Sequence, residues 1–185
     1  MRKDALKNRQ RIEDKALELF NSEGVENVSM NRISKELNIG MGTLYRHFKD
    51  KSDLCYRIIE HDFDDIMTQM LEIKSHYASK TDIMAHSLNI FLKFKTDNSG
   101  LLHCIEGKDN AQLFRESDFF KHLNQYYFDL FNDYTDESWA IFKTDMLLKS
   151  LTTETFEFQK NERQLSIETF RNNLIKLYLP KEVTQ

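Results

Sequence analysis

The stretch from Ser29 to Leu54 reads SMNRISKELNIGMGTLYRHFKDKSDL, and it predicts two short helices joined by a tight turn. Serine is a residue type that caps helix N-termini, so Ser29 marks the start of the first helix. Val28 and Ile33 lie on either side of that cap with the spacing of a hydrophobic staple, which fixes the entry of the chain. We expect this helix to end near Leu37.

The turn and the second helix follow directly. Asn38 and Gly40 are turn formers, and a helix is predicted over residues 41–47 with Leu44 and Phe48 directed inward. Its outward positions combine hydroxyl, phenol, guanidinium and imidazole groups with little bulk. They are Met41, Gly42, Thr43, Tyr45, Arg46 and His47. Such groups suit phosphates and base edges, so the segment has the form of a helix-turn-helix that reads DNA.

Gly42 is the unexpected residue of this helix. Glycine inside a helix costs ~1 kcal/mol relative to alanine, and the cost is easiest to explain if another backbone or a nucleic acid approaches closely. A surface helix with an unimportant glycine is the alternative interpretation.

Long helices are predicted on both sides of the segment. The first runs from Asp4 or Lys7 to Ser22 and stops at Gly24. After the helix-turn-helix, Asp50 is expected to cap a helix that continues to about residue 76. This helix is too long to belong to the helix-turn-helix alone.

The first fifty-odd residues resemble the N-terminal domain of TetR/AcrR-type transcription regulators. The positions that carry the resemblance are Ile12, Ala16, Leu19, Phe20, Gly24, Ser29, Ile33, Ile39, Gly42, Thr43, Leu44, Tyr45, His47, Phe48, Lys51 and Leu54. Gly40 departs from the pattern, since a helix-capping Ser is usual there. Met41 departs as well, since a polar or basic side chain is frequent at that position.

The resemblance implies two kinds of candidate DNA contact, to phosphates and to base edges. Ser29, Tyr45, His47 and Lys51 would hold phosphates. Met41, Gly42, Thr43 and Arg46 would lie nearest to base edges. It further implies a homodimer, because two reading helices must enter successive major grooves of a near-palindromic operator.

Charge is distributed unevenly along the chain. The whole sequence carries a net charge of −4, with a net +2 over residues 1–54 and −6 over the remainder. Basic residues crowd the N-terminus at Arg2, Lys3, Lys7, Arg9 and Arg11. We interpret this basic leader as electrostatic support for DNA binding, with a solvated charge run as the alternative.

Composition predicts a cytoplasmic protein. The chain begins with charged residues, lacks a long uncharged apolar run and has only Cys55 and Cys104 as cysteines. We therefore expect reduced thiols and no membrane span. Buried small side chains are the common role for such cysteines, and redox sensing is the alternative.

The region after residue 50 is also predicted to be helical, because it contains few glycines and no strand-like alternation. We expect an all-α protein of about nine helices, with the helix of residues 51–76 shared between two domains. The TetR/AcrR resemblance implies a DNA-binding domain over 1–50 and a helical effector-binding and dimerisation domain over 51–185, whose helices over 136–159 and 166–179 would pair with a second subunit. Alternatively, these two helices close the monomer's own core, and Pro180 is expected to end the last one.

An aromatic and Met-rich set in the middle of the chain could line a cavity for a small-molecule effector, or it could be solid core. Its members are Phe63, Met67, Met70, Phe91, His103, Phe120 and Tyr127. The sequence shows no Gly-rich phosphate loop, nucleophile elbow or zinc-protease pair. We therefore expect no enzyme activity, cofactor or metal, and the prediction is a ligand-responsive repressor. A helical protein-interaction adaptor and a helical enzyme are the alternatives.

Overall fold

The structure is a computed structural model that describes residues 2–107 and 110–179, with the backbone alone for residues 2–5, 111 and 113. Within those ranges every regular element is helical, which confirms the all-α prediction. The α-helices are α1 (Arg2–Glu23), α2 (Met30–Glu36), α3 (Met41–His47), α4 (Lys51–His76), α5 (Lys80–Asp97), α6 (Ser99–Glu106), α7 (Ala111–Glu116), α8 (Asp118–Asn132), α9 (Glu137–Ser150), α10 (Thr153–Glu157) and α11 (Ile167–Tyr178).

The chain forms two compact units. The first contains Met1–His61 and Asn98–Ala111, and the second contains Asp62–Asp97 and Gln112–Gln185. Helix α4 thus gives its first part to one unit and the rest to the other. None of the helices in the described ranges is long and apolar enough to cross a membrane.

The core of the first unit is built from apolar side chains of α1 to α4 and α6. Helix α2 packs against both α1 and α3. The fully or almost fully buried members include Ile12, Ala16, Val28, Ile33, Leu44, Phe48, Leu54, Ile59, Leu102 and Ile105. Val28 and Ile33 are both completely buried, as expected for a hydrophobic staple at the start of α2.

Two residues with positive φ shape the turns of this unit. Gly24 ends α1 with φ of +86°, and Asn38 turns the chain between α2 and α3 with φ of +52°. The turn is tied down from α1, because Arg11 donates from Nη2 to the carbonyl of Leu37 at 2.9 Å. The predicted stop at Gly24 and turn at Asn38 are therefore confirmed.

The start of α4 has reciprocal caps. The Asp50 carboxylate accepts the amide N–H of Asp53 at 2.8 Å, and the Asp53 carboxylate accepts the amide N–H of Lys49 at 2.9 Å. Each bond satisfies a backbone donor that the helix itself leaves free. These caps fix where the helix-turn-helix ends and α4 begins.

The second unit is a larger helical assembly. Helices α8 and α9 pack against each other after a short connection, and α11 packs on α5 and α9. Phe63 of α4 lies at the centre of an aromatic cluster, stacked on Phe119 with ring centroids 4.0 Å apart and edge-on to Phe94 at 5.4 Å. Aromatic packing of this kind adds to the free energy of burial.

Two features of the second unit differ from the prediction. The helix expected over 136–159 is broken after Leu151, because the Thr152 hydroxyl caps a new helix by accepting the amide N–H of Thr155. A π-helical turn, Phe158–Glu162, then follows α10. Helix α7 was not expected, so the described ranges contain eleven α-helices where about nine were predicted. Pro180, the expected helix terminator, lies outside the described residues.

Replacing Asp50 by Ala removes the cap of α4, and we expect the free energy of unfolding to fall by about 1 kcal/mol. Asp50→Ser is the matched variant, because a serine hydroxyl can accept the same N–H, and it should retain most of the stability. Urea denaturation followed by circular dichroism measures both. Equal stability of the Ala and Ser variants would show that the cap contributes little.

Candidate nucleic-acid interface

Helix α3 has one face in the core and one in solvent. Leu44 is fully buried, and Phe48, which follows the helix, is 1% exposed. Tyr45, Arg46 and Gly42 are exposed, while Met41, Thr43 and His47 are half-buried. The structure therefore places the predicted outward residues on a solvent-facing surface, which we call the reading face (Met41, Gly42, Thr43, Tyr45, Arg46 and His47).

Arg46 joins the residues of the reading face to one another. Its Nε donates to the carbonyl of Gly42 at 3.3 Å, and its Nη2 donates to Oγ1 of Thr43 at 3.1 Å. The guanidinium thus lies along the helix surface, and its remaining N–H groups are available to an incoming acceptor. Arginine pairs readily with guanine edges and with phosphates, so this placement suits either contact.

Nothing in the described part of the chain requires glycine at position 42. A Cβ built there would meet none of the described atoms within 4 Å, and its φ is not in the left-handed region. The same holds for Gly40, which occupies the N-cap position of α3 without any side-chain cap. The helix-propensity cost of Gly42 therefore has no compensating contact inside the protein.

The four residues predicted to hold phosphates lie at helix ends. The exposed Ser29 hydroxyl accepts the amide N–H of Arg32 at 3.2 Å, which leaves its own hydrogen free to donate. Tyr45 is 50% exposed, and His47 lies in the last turn of α3. Lys51 begins α4, and its ammonium donates to the carbonyl of Val25 and lies 5.9 Å from the centre of the Phe20 ring.

The basic leader is partly engaged in the fold. Arg9 pairs with Glu13 at 3.0 Å and lies 5.8 Å above the Phe48 ring, and Arg11 holds the Leu37 carbonyl. Lys7 is exposed, while the side chains of Arg2 and Lys3 lie outside the described part of the chain. Two of the five leader cations thus stabilise the turn and the base of α3.

The candidate effector residues fall into both units. His103 belongs to the first unit and has an exposed side chain, and the other six belong to the second. Among those six, Phe120 is half-buried and the rest are buried. The five buried residues are Phe63, Met67, Met70, Phe91 and Tyr127.

Sequence reasoning missed a polar group inside this apolar core. Ser87 of α5 is fully buried and lies near the hydroxyls of Tyr126 and Tyr127 of α8. Burial raises the pKa of both tyrosines, that of Tyr126 to about 12. Helical periodicity could not reveal the group, because these positions read as ordinary core. No cluster of three or more metal-ligating side chains occurs within residues 2–107 and 110–179.

Known proteins that are similar to this chain are bacterial transcription regulators. Residues 12–58 match the family model for bacterial regulatory proteins of the tetR family. The chain is 55% identical over 179 residues to the HTH-type transcriptional regulator SAB2452 of Staphylococcus aureus strain bovine RF122 / ET3-1, covering 97% of this chain and 96% of the relative. The S. aureus USA300 regulator SAUSA300_2515 matches equally well, with the same identity and coverage.

Solved structures share the fold at low sequence identity. A TetR/AcrR-family regulator from Thermobifida fusca has a TM-score of 0.63 at 18% identity, covering 94% of this chain and all of that one. FadR from Bacillus subtilis, solved in complex with stearoyl-CoA, has a TM-score of 0.65 at 15% identity, covering 91% and 96%. The reading face is exposed, and the match to the helix-turn-helix regulators covers nearly the whole length of both chains. The chain therefore belongs to the TetR family of transcription regulators and is not an enzyme.

Proposed function

We propose that the chain is a repressor that binds a near-palindromic operator as a homodimer and releases it when a small molecule binds the second unit. The observation that carries the proposal is the reading face of α3, which offers hydrogen-bond donors to solvent while Leu44 and Phe48 anchor the helix. A short helix presented in this way fits the major groove of B-DNA.

We propose the roles that the family resemblance implies for the DNA contacts, and exposure and side-chain chemistry support them. Thr43 and Arg46 are hydrogen-bonded to each other and offer a hydroxyl and a guanidinium, which suit base edges. Met41 and Gly42 would lie against the bases without polar contacts. Ser29, Tyr45, His47 and Lys51 would hold phosphates on either side, so that they fix the register of the helix on the duplex.

Lys51 would exchange one acceptor for another on binding DNA. Its ammonium donates to the Val25 carbonyl in the free protein. A phosphate oxygen carries more negative charge than a carbonyl, and the first turn of α4 adds free amide donors at the same place. This combination supports a phosphate contact at the N-terminus of α4.

A dimer is supported by an apolar surface on α9. Trp139, Ile141, Phe142 and Met146 are each between 41% and 50% exposed, and the rings of Trp139 and Phe142 stack at 5.2 Å. Leu177 of α11 is 72% exposed. Soluble monomers rarely leave such a group of large apolar side chains in water, so we assign this dimer face (Trp139, Ile141, Phe142, Met146 and Leu177) to a second subunit.

An effector bound in the second unit would meet mainly apolar side chains together with a few hydroxyl groups. The candidate residues of the second unit supply aromatic and methionine walls, and Ser87, Tyr126 and Tyr127 supply hydroxyls within the core. FadR of B. subtilis, which shares the fold, was solved with stearoyl-CoA. We therefore propose a largely apolar effector that carries at least one hydrogen-bonding group.

Helix α4 is the element through which an effector would act, because it contributes residues to both units. A ligand shifts the protein only by its differential affinity for the DNA-binding and released forms. A hundredfold loss of operator affinity corresponds to about 2.7 kcal/mol of such a difference. Binding of one small molecule per subunit supplies this amount readily.

Gly42→Ala tests whether DNA explains the glycine. We expect the free energy of unfolding to rise by about 0.5–1 kcal/mol, because alanine favours the helix and its Cβ meets no atom of the protein. Operator affinity should nevertheless fall at least tenfold, since the methyl group would meet the DNA. Denaturant titration and fluorescence anisotropy measure the two effects. A stabilised variant with the parent's affinity would contradict a close approach of DNA at this position.

Lys51→Ala tests the phosphate contact at α4. We expect weaker operator binding and a shallower dependence of log affinity on log salt, smaller in slope by about 1 per subunit. Lys93→Ala is the matched control, because Lys93 is an exposed lysine of the second unit that pairs with Asp97. Equal slopes for the parent and both variants would remove Lys51 from the phosphate contacts.

Tyr45→Ala should weaken operator binding as well and leave the dimer intact.

Phe142→Glu tests the dimer face. A carboxylate at its centre would have to be desolvated in the dimer, so we expect a monomer with at least a hundredfold loss of operator affinity. Leu71→Glu, at an exposed apolar residue of α4, makes the same chemical change outside this face and should remain dimeric. Sedimentation velocity reports the mass of each variant. A dimeric Phe142→Glu protein would place the subunit interface elsewhere.

A further inference from the structure

The two cysteines of the chain lie close to each other in the first unit. Cys55 of α4 is fully buried and Cys104 of α6 is half-buried, and each thiol shifts the pKa of the other. The helices that carry them meet at Val25. Lys51, one turn before Cys55, donates to the Val25 carbonyl, and the backbone of Gly100, one turn before Cys104, packs against the Val25 side chain. Both are free thiols. Although they are far apart in sequence, the fold has brought two oxidisable sulfurs close to each other.

The two thiols differ in how readily they ionise. The hydrogen bond from Cys55 lowers the pKa of Cys104 to about 7, burial opposes that shift, Lys51 lowers the pKa further, and Asp50 raises it slightly. The same hydrogen bond, together with burial, raises the pKa of Cys55. Near neutral pH Cys104 is therefore partly a thiolate and Cys55 remains a thiol.

We propose that Cys55 and Cys104 form a reversible thiol–disulfide switch, which low-molecular-weight disulfides oxidise and which alters the affinity of the regulator for DNA. The half-buried Cys104 is the attacking sulfur, and the fully buried Cys55 is the resolving one. The DNA readout of this switch rests on the proposed function, whereas the sulfur chemistry does not.

The reaction proceeds in two exchanges. The Cys104 thiolate attacks one sulfur of the oxidant RSSR, forming a mixed disulfide and releasing RS⁻. This step removes the negative charge that opposed ionisation of Cys55, so Cys55 loses its proton and attacks the Cys104 sulfur. The Cys55–Cys104 bond forms as a second RS⁻ leaves. Two protein thiols and RSSR thus yield one protein disulfide and two RSH, with two electrons passing to the oxidant.

The position of Cys55 connects this chemistry to the DNA interface. Cys55 lies one helical turn after Lys51 and directly after Leu54, which anchors the start of α4 in the core. A disulfide has an S–S bond of about 2.05 Å and holds its two Cα atoms roughly 4.4–6.8 Å apart, so the bond would constrain α4 against α6. The start of α4 carries Lys51 and the caps that follow α3, so this constraint would act on a proposed phosphate contact.

A pair of Cys55 variants tests the activation of Cys104. In the parent, the rate of alkylation by iodoacetamide should rise with pH through a midpoint near 7. Cys55→Ser keeps a hydrogen-bond donor and should leave a depressed midpoint, whereas Cys55→Ala removes the donor and should move the midpoint upward. If both variants titrate like an ordinary thiol, or both like the parent, the hydrogen bond does not activate Cys104.

Oxidation of the intact dimer by glutathione disulfide tests the switch itself. Intact mass should show loss of two hydrogen atoms in the parent, a retained glutathione adduct in Cys55→Ser, and little reaction in Cys104→Ser. We expect operator affinity to change at least tenfold in the oxidised parent, to recover with dithiothreitol, and to stay constant in Cys104→Ser under the same treatment.

Three results would overturn part of this account. A persistent glutathione adduct on the parent would show that Cys55 does not resolve it. An internal disulfide with unchanged operator affinity would refute the regulatory role. A reduced parent that binds no DNA would instead contradict the proposed function, since formation of the disulfide does not depend on DNA.

Discussion

The burial of Leu44 and Phe48 is the interaction on which the DNA-binding surface depends. Helix α3 has seven residues, too few to be stable alone in water. Its outward residues, including a glycine, contribute little to its formation. The two buried side chains therefore hold the helix in place, and Arg9 and Arg11 of α1 support it through the Phe48 ring and the Leu37 carbonyl. The residues of the reading face can serve DNA binding, because the buried face of α3 supplies the stability of the helix.

Local sequence signals predicted much of this arrangement. Capping side chains are visible in sequence because they act within three residues, and Ser29, Asp136 and Ser166 each cap a helix whose start was predicted. The bounds of α3 and α4 followed from the turn formers and from Asp50. The outward positions of α3 followed from the periodicity that buries Leu44. Local chemistry was sufficient wherever a helix is fixed by its own termini.

Features that depend on long-range packing could not be predicted. The break between α9 and α10 follows a cap at Thr152 inside a pattern that reads as one helix, and the buried Lys95 of α5 donates to Thr153 at 3.0 Å. The contact between Cys55 and Cys104 depends on α6 packing in the first unit, which no periodicity specifies. The hydroxyls of Tyr126 and Tyr127 are likewise polar groups at positions that read as core. The neighbours involved, such as Lys95 for Thr153 and Cys104 for Cys55, come from distant parts of the chain.

The central claim is that α3 reads bases while Lys51 holds a phosphate, and DNA selection with variants tests it most directly. Bound sequences are selected from a random pool with the parent, with Arg46→Ala and with Lys51→Ala. The account predicts a near-palindromic consensus for the parent, loss of preference at one symmetric pair of positions for Arg46→Ala, and an unchanged but more weakly bound consensus for Lys51→Ala. An unchanged consensus for Arg46→Ala together with an altered one for Lys51→Ala would contradict it.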